Sequence, residues 1–347
     1  MYHLRLKGTH YQMGVKRGNI FNKNKIIFPL HLDQFQLKHG IESEKILKQY
    51  FPEICDEIKG ITDTIKVDYL KFISWMLAMG CCMYNLDKNH PEIRGCTAFA
   101  IRHQEDIYYG RNNDLPPYLK AGSKSEIYRP AHGYSFQITT SSFVNGEEGI
   151  NEKGLAVAMT FVFTDLKHIY PGLNSVFVVR YLLEKAKDVS EAIRLLDELP
   201  VASNMNILLV DSSSNMRVVE CCFQEKHIRK PLKLHNGCEM ICTVNQFTSN
   251  KMKKYEMKGD TYRANERYMT VYNAFKNYKN ENMLDYIQSV LKGEHGFICQ
   301  YEKQLNFETI WSSIFDLKTL NVYRAEGNPR KKKFIEDKRL TQLSNIG

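Results

Sequence analysis

The hydrophobic period of this chain changes at Gly95, and that change limits its fold more than any other feature. Before it, apolar residues recur at helical spacing. Ser43 can cap a helix containing Ile46, Leu47, Tyr50 and Phe51, and Tyr69 to Met83 repeats the pattern. A helical layer is therefore expected up to about residue 90. After it, CTAFAIR and DIYYGRNND are short runs of aromatic and β-forming residues separated by His103 to Glu105, which predicts a hairpin. Further strands are expected at Tyr134 to Thr139, Leu155 to Phe163, NILLVD, MRVVECC, Glu239 to Val244, Ile310 to Asp316 and Thr319 to Arg324. Helices are expected at Ser175 to Leu199, Tyr262 to Tyr278 and Met283 to Lys292. Strands in clusters and helices in clusters, without βαβ alternation, predict an α+β layered architecture of antiparallel sheets and disfavour a doubly wound nucleotide fold. No repeat or low-complexity linker intervenes, so the N-terminal layer is expected to pack on the sheets.

The remaining composition narrows the function. A chain of 347 residues, 43% hydrophobic and 25% charged, can bury a core without disulfide staples and reads as a soluble folded protein. Its net charge of +9 is partly local, in Arg330 to Lys333 (RKKK) and in Lys251, Lys253 and Lys254. No zinc-finger spacing, ribonucleoprotein motif or glycine-rich phosphate loop accompanies it, so nucleic acid is not an expected partner. Nine cysteines are an odd count, and Cys81-Cys82 and Cys221-Cys222 are adjacent. The first twenty residues lack a signal-peptide core, so a reducing cytoplasm is the expected location. The most apolar stretch, Ile73 to Tyr84, is far shorter than the roughly 20 residues of a membrane span, and no membrane partner is expected.

Chemistry concentrates at Arg94-Gly95-Cys96-Thr97-Ala98-Phe99-Ala100. The Gly95 carbonyl has no side chain shielding it, so the Cys96 sulfur could attack it, move the acyl group to sulfur and let water release a new N-terminus. The freed α-amine, with a reference pKa of about 7.7 to 8.0, would then act as a base for its own thiol. The second strand of the hairpin ends in Gly110-Arg111-Asn112-Asn113-Asp114, which puts a guanidinium and a carboxylate at the same end as Cys96. Taken alone, Cys96 also reads as a small buried hydrophobe, and Arg111 with Asp114 as a hairpin-end ion pair.

These motifs, in order along nearly the whole chain, resemble the cysteine N-terminal-nucleophile hydrolases that act on linear amides. GTHYQMG (Gly8 to Gly14), GCTAFA, GRNND, GINEKGLAVA (Gly149 to Ala158), VNQF (Val244 to Phe247), ERY (Glu266 to Tyr268) and TIWSSIFDL (Thr309 to Leu317) carry the resemblance. It extends to penicillin V acylase and bile salt hydrolase, and the long leader is most similar to the isopenicillin N acyltransferase branch, also classed as C45 peptidases. The resemblance implies an αββα sandwich of two antiparallel sheets between helical layers, with residues 1–95 as a leader packed on a catalytic domain of residues 96–347. It implies Cys96 as nucleophile and Gly95-Cys96 as the cleavage site. Asp114 would orient the amine and thiol, Arg111 would favour the thiolate, and Asn245 would stabilise an oxyanion. The second oxyanion donor falls at Phe161, where only a backbone N–H can serve. The later arginine matches Arg267, with Arg263 one helical turn earlier as a substitute. Ser312 and Ser313 are supporting candidates, one on each face of their strand. His295 and Tyr301 flank GFICQ, which resembles a SICRH segment of that branch with Gln300 and Tyr301 in place of its Arg-His. Asn151 reads as a tight-turn device.

The implied activity is a self-processing amidohydrolase or acyltransferase that forms a Cys96 thioester with an N-acyl amino acid, a peptide-like amide or a penicillin-like amide. No cofactor is called for, and the expected partners are that small molecule and other copies of the chain in a homo-oligomer. Two other readings stay open: a catalytically silent ligand-binding protein of the same fold, and a metal-binding protein using His227, His235, Cys238 and Cys242.

Overall fold

A computed structural model describes residues 1–80, 95–142, 144–164, 168–257, 259, 261–299, 301–302 and 306–344. Cys81, Cys82, Tyr84, Arg94 and Gln300 lie outside the described residues. The chain opens with β1 (Tyr2–Gly8), followed by α1 (His10–Lys23), α2 (Gln34–Tyr50), α3 (Pro52–Ile65) and α4 (Tyr69–Gly80). The hairpin β2 (Gly95–His103) and β3 (Asp106–Leu115) comes next, then β4 (Lys124–Pro130), β5 (Phe136–Thr140), β6 (Glu148–Asn151) and β7 (Ala156–Phe161). Helices α5 (Ser175–Lys185) and α6 (Val189–Glu198) lead to β8 (Met205–Val210), β9 (Met216–Cys221), β10 (Lys226–Arg229), β11 (Leu232–Lys233) and β12 (Glu239–Thr243). After these come α7 (Ala264–Lys276), α8 (Met283–Leu291), β13 (Tyr301–Glu302), β14 (Phe307–Asp316), β15 (Val322–Ala325), β16 (Ile335–Asp337) and α9 (Thr341–Ser344).

Among the described residues the strands form two eight-stranded sheets. One has the order β1-β4-β5-β6-β7-β8-β9-β10, and the other β11-β12-β2-β3-β14-β15-β16 with β13 on β14. Among the described residues every strand pairing in the two sheets is antiparallel except β1 with β4. Small and branched residues such as Ala98, Ala100, Ala156, Ala158 and Val210 fill the space between the sheets. The N-terminal helices and α5 and α6 cover the outer face of the first sheet, and α7 and α8 cover the outer face of the second. This is the αββα layering expected above.

Three sequence expectations are corrected. The first ninety residues are not wholly helical, because Tyr2–Gly8 forms an edge strand whose Leu4 and Leu6 point inward. Its alternation was present in YHLRLKG, but the partner that makes it a strand, Lys124–Pro130, is remote in the chain. Ser43 does not cap a helix: the Asp33 and Gln36 capping box starts α2 earlier, and Ser43 is buried, its Oγ accepting from Gly172 N at 3.1 Å. The stretch Ser175 to Leu199 is two helices, since Asp188 accepts from Glu191 N at 2.8 Å and starts a second one.

Gly14 of the GTHYQMG motif has a packing role. A Cβ there would lie 1.9 Å from the Glu57 carbonyl oxygen, and one on Gly60 would lie 2.3 Å from that of Tyr11, so α1 and α3 touch backbone to backbone. That contact brings together a buried ion network. Arg17 donates to both Glu126 oxygens at 2.9 and 2.7 Å. Arg180 donates to Glu57 Oε2 at 2.9 Å and to Glu184 Oε2 at 3.2 Å, and lies 4.0 Å over the Tyr128 ring. His10 meets Glu184 Oε1 at 2.7 Å. The network joins α1 and α3 to β4 and α5, so the N-terminal segment shares one interior with the first sheet. Arg180→Met would leave Glu57 and Glu184 buried without that cation and should cost about 3–5 kcal/mol, read by denaturant unfolding of the folded variant.

Candidate active site

Cys96 is the second residue of β2, and the register of β2 on β3 sets its neighbours. Gly95 pairs with Asp114, Cys96 with Asn113, Thr97 with Asn112 and Ala98 with Arg111. Side chains alternate across a strand, so Cys96, Arg111 and Asn113 face the first sheet, while Thr97, Asn112 and Asp114 face α7 and α8. Cys96 is 6% exposed, and Arg111, Asp114 and Asn245 are buried.

The first sheet is shaped to receive them. Met159 N donates to Glu147 O at 2.9 Å, but the chain then leaves β7: Glu147 N turns to Thr139 O and Gly146 N to Val176 O. The Met159 and Phe161 carbonyls, which point to that side, are taken by the site's own side chains. Arg111 Nη1 donates to Met159 O, and Asn245 Nδ2 donates to Phe161 O at 2.9 Å. By strand alternation the Phe161 N–H lies on the same side as its carbonyl. Asn245 sits just past β12, where Asn206 Nδ2 donates to Val244 O at 3.0 Å and to Gln246 O at 3.1 Å, and Thr160 Oγ1 donates to Val244 O at 2.8 Å.

Four predicted side chains meet at Cys96 or beside it. Its backbone N–H donates to Asn245 Oδ1 at 2.7 Å, and its carbonyl accepts from Arg267 Nη1 at 2.6 Å. Arg111 Nη2 approaches the sulfur at 3.2 Å. Arg267 also donates to Asn245 Oδ1 at 3.0 Å and Thr97 Oγ1 at 3.0 Å, while the Thr261 and Tyr262 carbonyls hold its other hydrogens. Asp114, opposite Gly95 in the ladder, accepts from Thr309 Oγ1. Arg263 is elsewhere: it is exposed, pairs with Glu266 at 2.6 Å and stacks on Phe297.

The serines divide between the faces. Ser312 Oγ donates to Asn112 Oδ1 at 2.6 Å, and Ser313 Oγ donates to Glu148 Oε1 at 2.7 Å. Neither hydroxyl hydrogen-bonds Cys96. His295 rests on Ser289, and Tyr301 is 53% exposed beneath Lys331, so that pair is not part of this cluster. Asn151 accepts from Lys153 N and Leu155 N and donates to Leu183 O and Ala186 O, which ties a turn to α5. Among the described residues no group of three or more His, Cys, Asp or Glu side chains could hold a metal, so His227, His235, Cys238 and Cys242 do not assemble a site. Cys238 and Cys242 pack instead in the apolar layer under α7 and α8.

Sequence reasoning missed Asn113, whose Oδ1 accepts from Arg111 Nη2 at 2.7 Å and lies 3.4 Å from the Cys96 sulfur. It was in view inside GRNND, but only the ladder register shows that it faces the sulfur. Glu148 was missed too; it accepts from Tyr109 OH at 2.7 Å and Trp311 Nε1 at 2.8 Å, close behind Arg111.

Burial raises the Cys96 thiol pKa, against the pull of Arg111, so the resting sulfur is protonated while its nitrogen is held in the peptide bond. Burial also pushes the Asp114 carboxyl up to about 7, against Arg267, the Thr309 hydrogen bond and Arg111.

The αββα fold is joined by a family match of the acyltransferase class. Residues 101–331 match the family described as acyl-coenzyme A:6-aminopenicillanic acid acyl-transferase, and the chain belongs to that family. Arg111, Asp114, Phe161, Asn245, Arg267, Ser312 and Ser313 fall inside the matched span, and Cys96 precedes it. No curated protein matches the chain. Solved structures similar to it include penicillin V acylase from Agrobacterium tumefaciens, 19% identical, TM-score 0.45, covering 67% of this chain and 83% of that one. The N-acylethanolamine-hydrolyzing acid amidase ortholog of Caenorhabditis elegans is 15% identical, TM-score 0.49, covering 64% and 93%. A variant of the conjugated bile acid hydrolase of Clostridium perfringens is 13% identical, TM-score 0.47, covering 67% and 89%.

The Asp114 shift has a definite sign. Its folded pKa of about 7 exceeds the ordinary 3.8, so the folded state binds the proton more tightly and stability is lost as pH rises through that window. In a Cys96→Ala background, Asp114→Asn should remove this loss. Denaturant unfolding across pH 4 to 8 should show the Asn variant gaining on its parent as pH rises.

Proposed function

We propose that this protein is a self-processing cysteine amidohydrolase or acyltransferase that cleaves or exchanges a linear amide through a thioester on Cys96. The observation that carries the reading is the convergence on that one residue: Asn245 on its nitrogen, Arg111 on its sulfur and Arg267 on its carbonyl. In maturation the sulfur attacks the Gly95 carbonyl carbon, the C–S bond forms, the Gly95–Cys96 C–N bond breaks, and the nitrogen takes up a proton as the free amine. Water then cleaves the thioester, releasing a carboxylate on Gly95 and the thiol. Residues 1–95 and 96–347 are the resulting fragments, the first serving as leader.

In turnover the Cys96 amine accepts the thiol proton and delivers it to the departing amine of the substrate. Asn245 Oδ1 orients that amine. One of its Nδ2 hydrogens is held by Phe161 O, and the other, with no acceptor among the described residues, serves the tetrahedral oxyanion together with the Phe161 N–H. Arg111 is a buried cation with no ion pair among the described residues, and a thiolate on Cys96 supplies the missing anion. Asp114, across from Gly95, holds the new amine. The acyl–enzyme yields to water in hydrolysis or to another amine in transfer. N-acyl amino acids, peptide-like amides and penicillin-like amides are the substrate classes to offer. The odd cysteine count supports a reducing cytoplasm as its location. Among the described residues no helix is long and apolar enough to cross a membrane.

Intact-mass measurement should find wild-type protein split between Gly95 and Cys96 and Cys96→Ala as a single chain; a split in the Ala variant would assign the cut to an outside protease. Asn245→Ala should be folded and slowed by about 10²–10³ in kcat, and normal turnover would remove Asn245 from the oxyanion site.

A further inference from the structure

We infer that Asn113 is a specificity-determining residue, whose side-chain NH2 receives a hydrogen-bond acceptor carried by the substrate's acyl group next to the scissile carbonyl. The inference rests on the amidase reading above and names the kind of acyl group that site takes.

Asn113 is 1% exposed and stands directly opposite Cys96 in the β2–β3 ladder, side chain beside side chain. The orientation of its amide is dictated by Arg111. A guanidinium carries only donors, so the atom 2.7 Å from Arg111 Nη2 must be the oxygen. The nitrogen therefore turns away from Arg111, and among the described residues Asn113 Nδ2 is buried with no hydrogen-bond partner. Buried amide donors are rarely left unmade, and neighbouring asparagines follow that rule. Asn112 Nδ2 donates to Leu291 O at 2.9 Å, and Asn245 Nδ2 donates to Phe161 O at 2.9 Å.

The unmade donor lies one amide width from an oxygen that is itself 3.4 Å from the Cys96 sulfur. An acyl carbon bonded to that sulfur places its first substituent atoms in this neighbourhood. The oxyanion belongs to a different direction, because Asn245 meets Cys96 through its main chain and Asn113 meets it through its side chain. An ether or hydroxyl oxygen, or a second amide carbonyl, one or two bonds from the scissile carbonyl satisfies Nδ2. A plain alkanoyl chain leaves it bare, and a site built around such a donor discriminates against the group that lacks the acceptor.

The test uses processed enzyme and two p-nitroanilides of equal length, methoxyacetyl and butanoyl, which differ by an oxygen in place of a methylene. Their intrinsic reactivity difference is common to all variants and cancels when preference ratios are compared. Wild-type kcat/KM should favour the methoxyacetyl compound by about five- to tenfold more than Asn113→Leu does. Asn113→Asp keeps the shape and the oxygen facing Arg111 but has no NH2, so it should lose the preference too and serves if the Leu variant fails to fold. An unchanged ratio in the folded variants, or an equal fall for both anilides, overturns the inference while the amidase reading stands. Absence of both turnover and a thioester mass on wild-type Cys96 overturns the amidase reading, and this inference with it.

Discussion

The pairing register of β2 on β3 holds the site together, because a one-residue slip would turn every side chain of the hairpin to the opposite face. In the observed register the sulfur of Cys96, the guanidinium of Arg111 and the amide of Asn113 share the gap between the sheets. Asp114 and Thr97 share the other face with Arg267. The residue at the proposed cut is thus served from both sides of its own strand: side chain from one, main chain from the other. Gly110 permits this hairpin its packing, since a Cβ there would lie 2.6 Å from the Phe99 ring.

The second constraint is a sheet that ends early. Where the chain before β6 departs from β7, two carbonyls lose their ladder partners, and buried carbonyls require replacements. Arg111 and Asn245 supply them, which anchors both groups by main-chain acceptors of the opposite sheet. The cluster therefore lies across the interface of two sheets, and its geometry depends on how they are stacked. Glu148, with Tyr109, Trp311 and Ser313 as donors, stands behind Arg111 in that same interface.

The N-terminal segment is woven into the architecture. β1 extends the first sheet, Gly14 and Gly60 let α1 and α3 meet, and Arg17 and Arg180 lock those helices to β4 and α5. Residues 1–80 thereby complete the layer that backs the first sheet.

Much of this was legible in the residue order. The helical and alternating periods located the hairpin and most of the strands, and the Gly95-Cys96, GRNND, VNQF and ERY motifs picked out residues that meet in space. The errors have physical causes. A strand such as Tyr2–Gly8 is defined by a partner far along the chain, and Ser43 is taken into the interior, where its hydroxyl accepts from the remote Gly172 N–H. Periodicity, capping and turn chemistry act between residues a few positions apart, so sequence alone determined the element types and the reactive groups available. Tertiary structure decided which of those groups touch. The Cys96 N–H finds its acceptor 149 residues away on Asn245, and Asn113 meets the sulfur only through the ladder. Such partners are chosen by sheet register and layer packing, which no local pattern encodes.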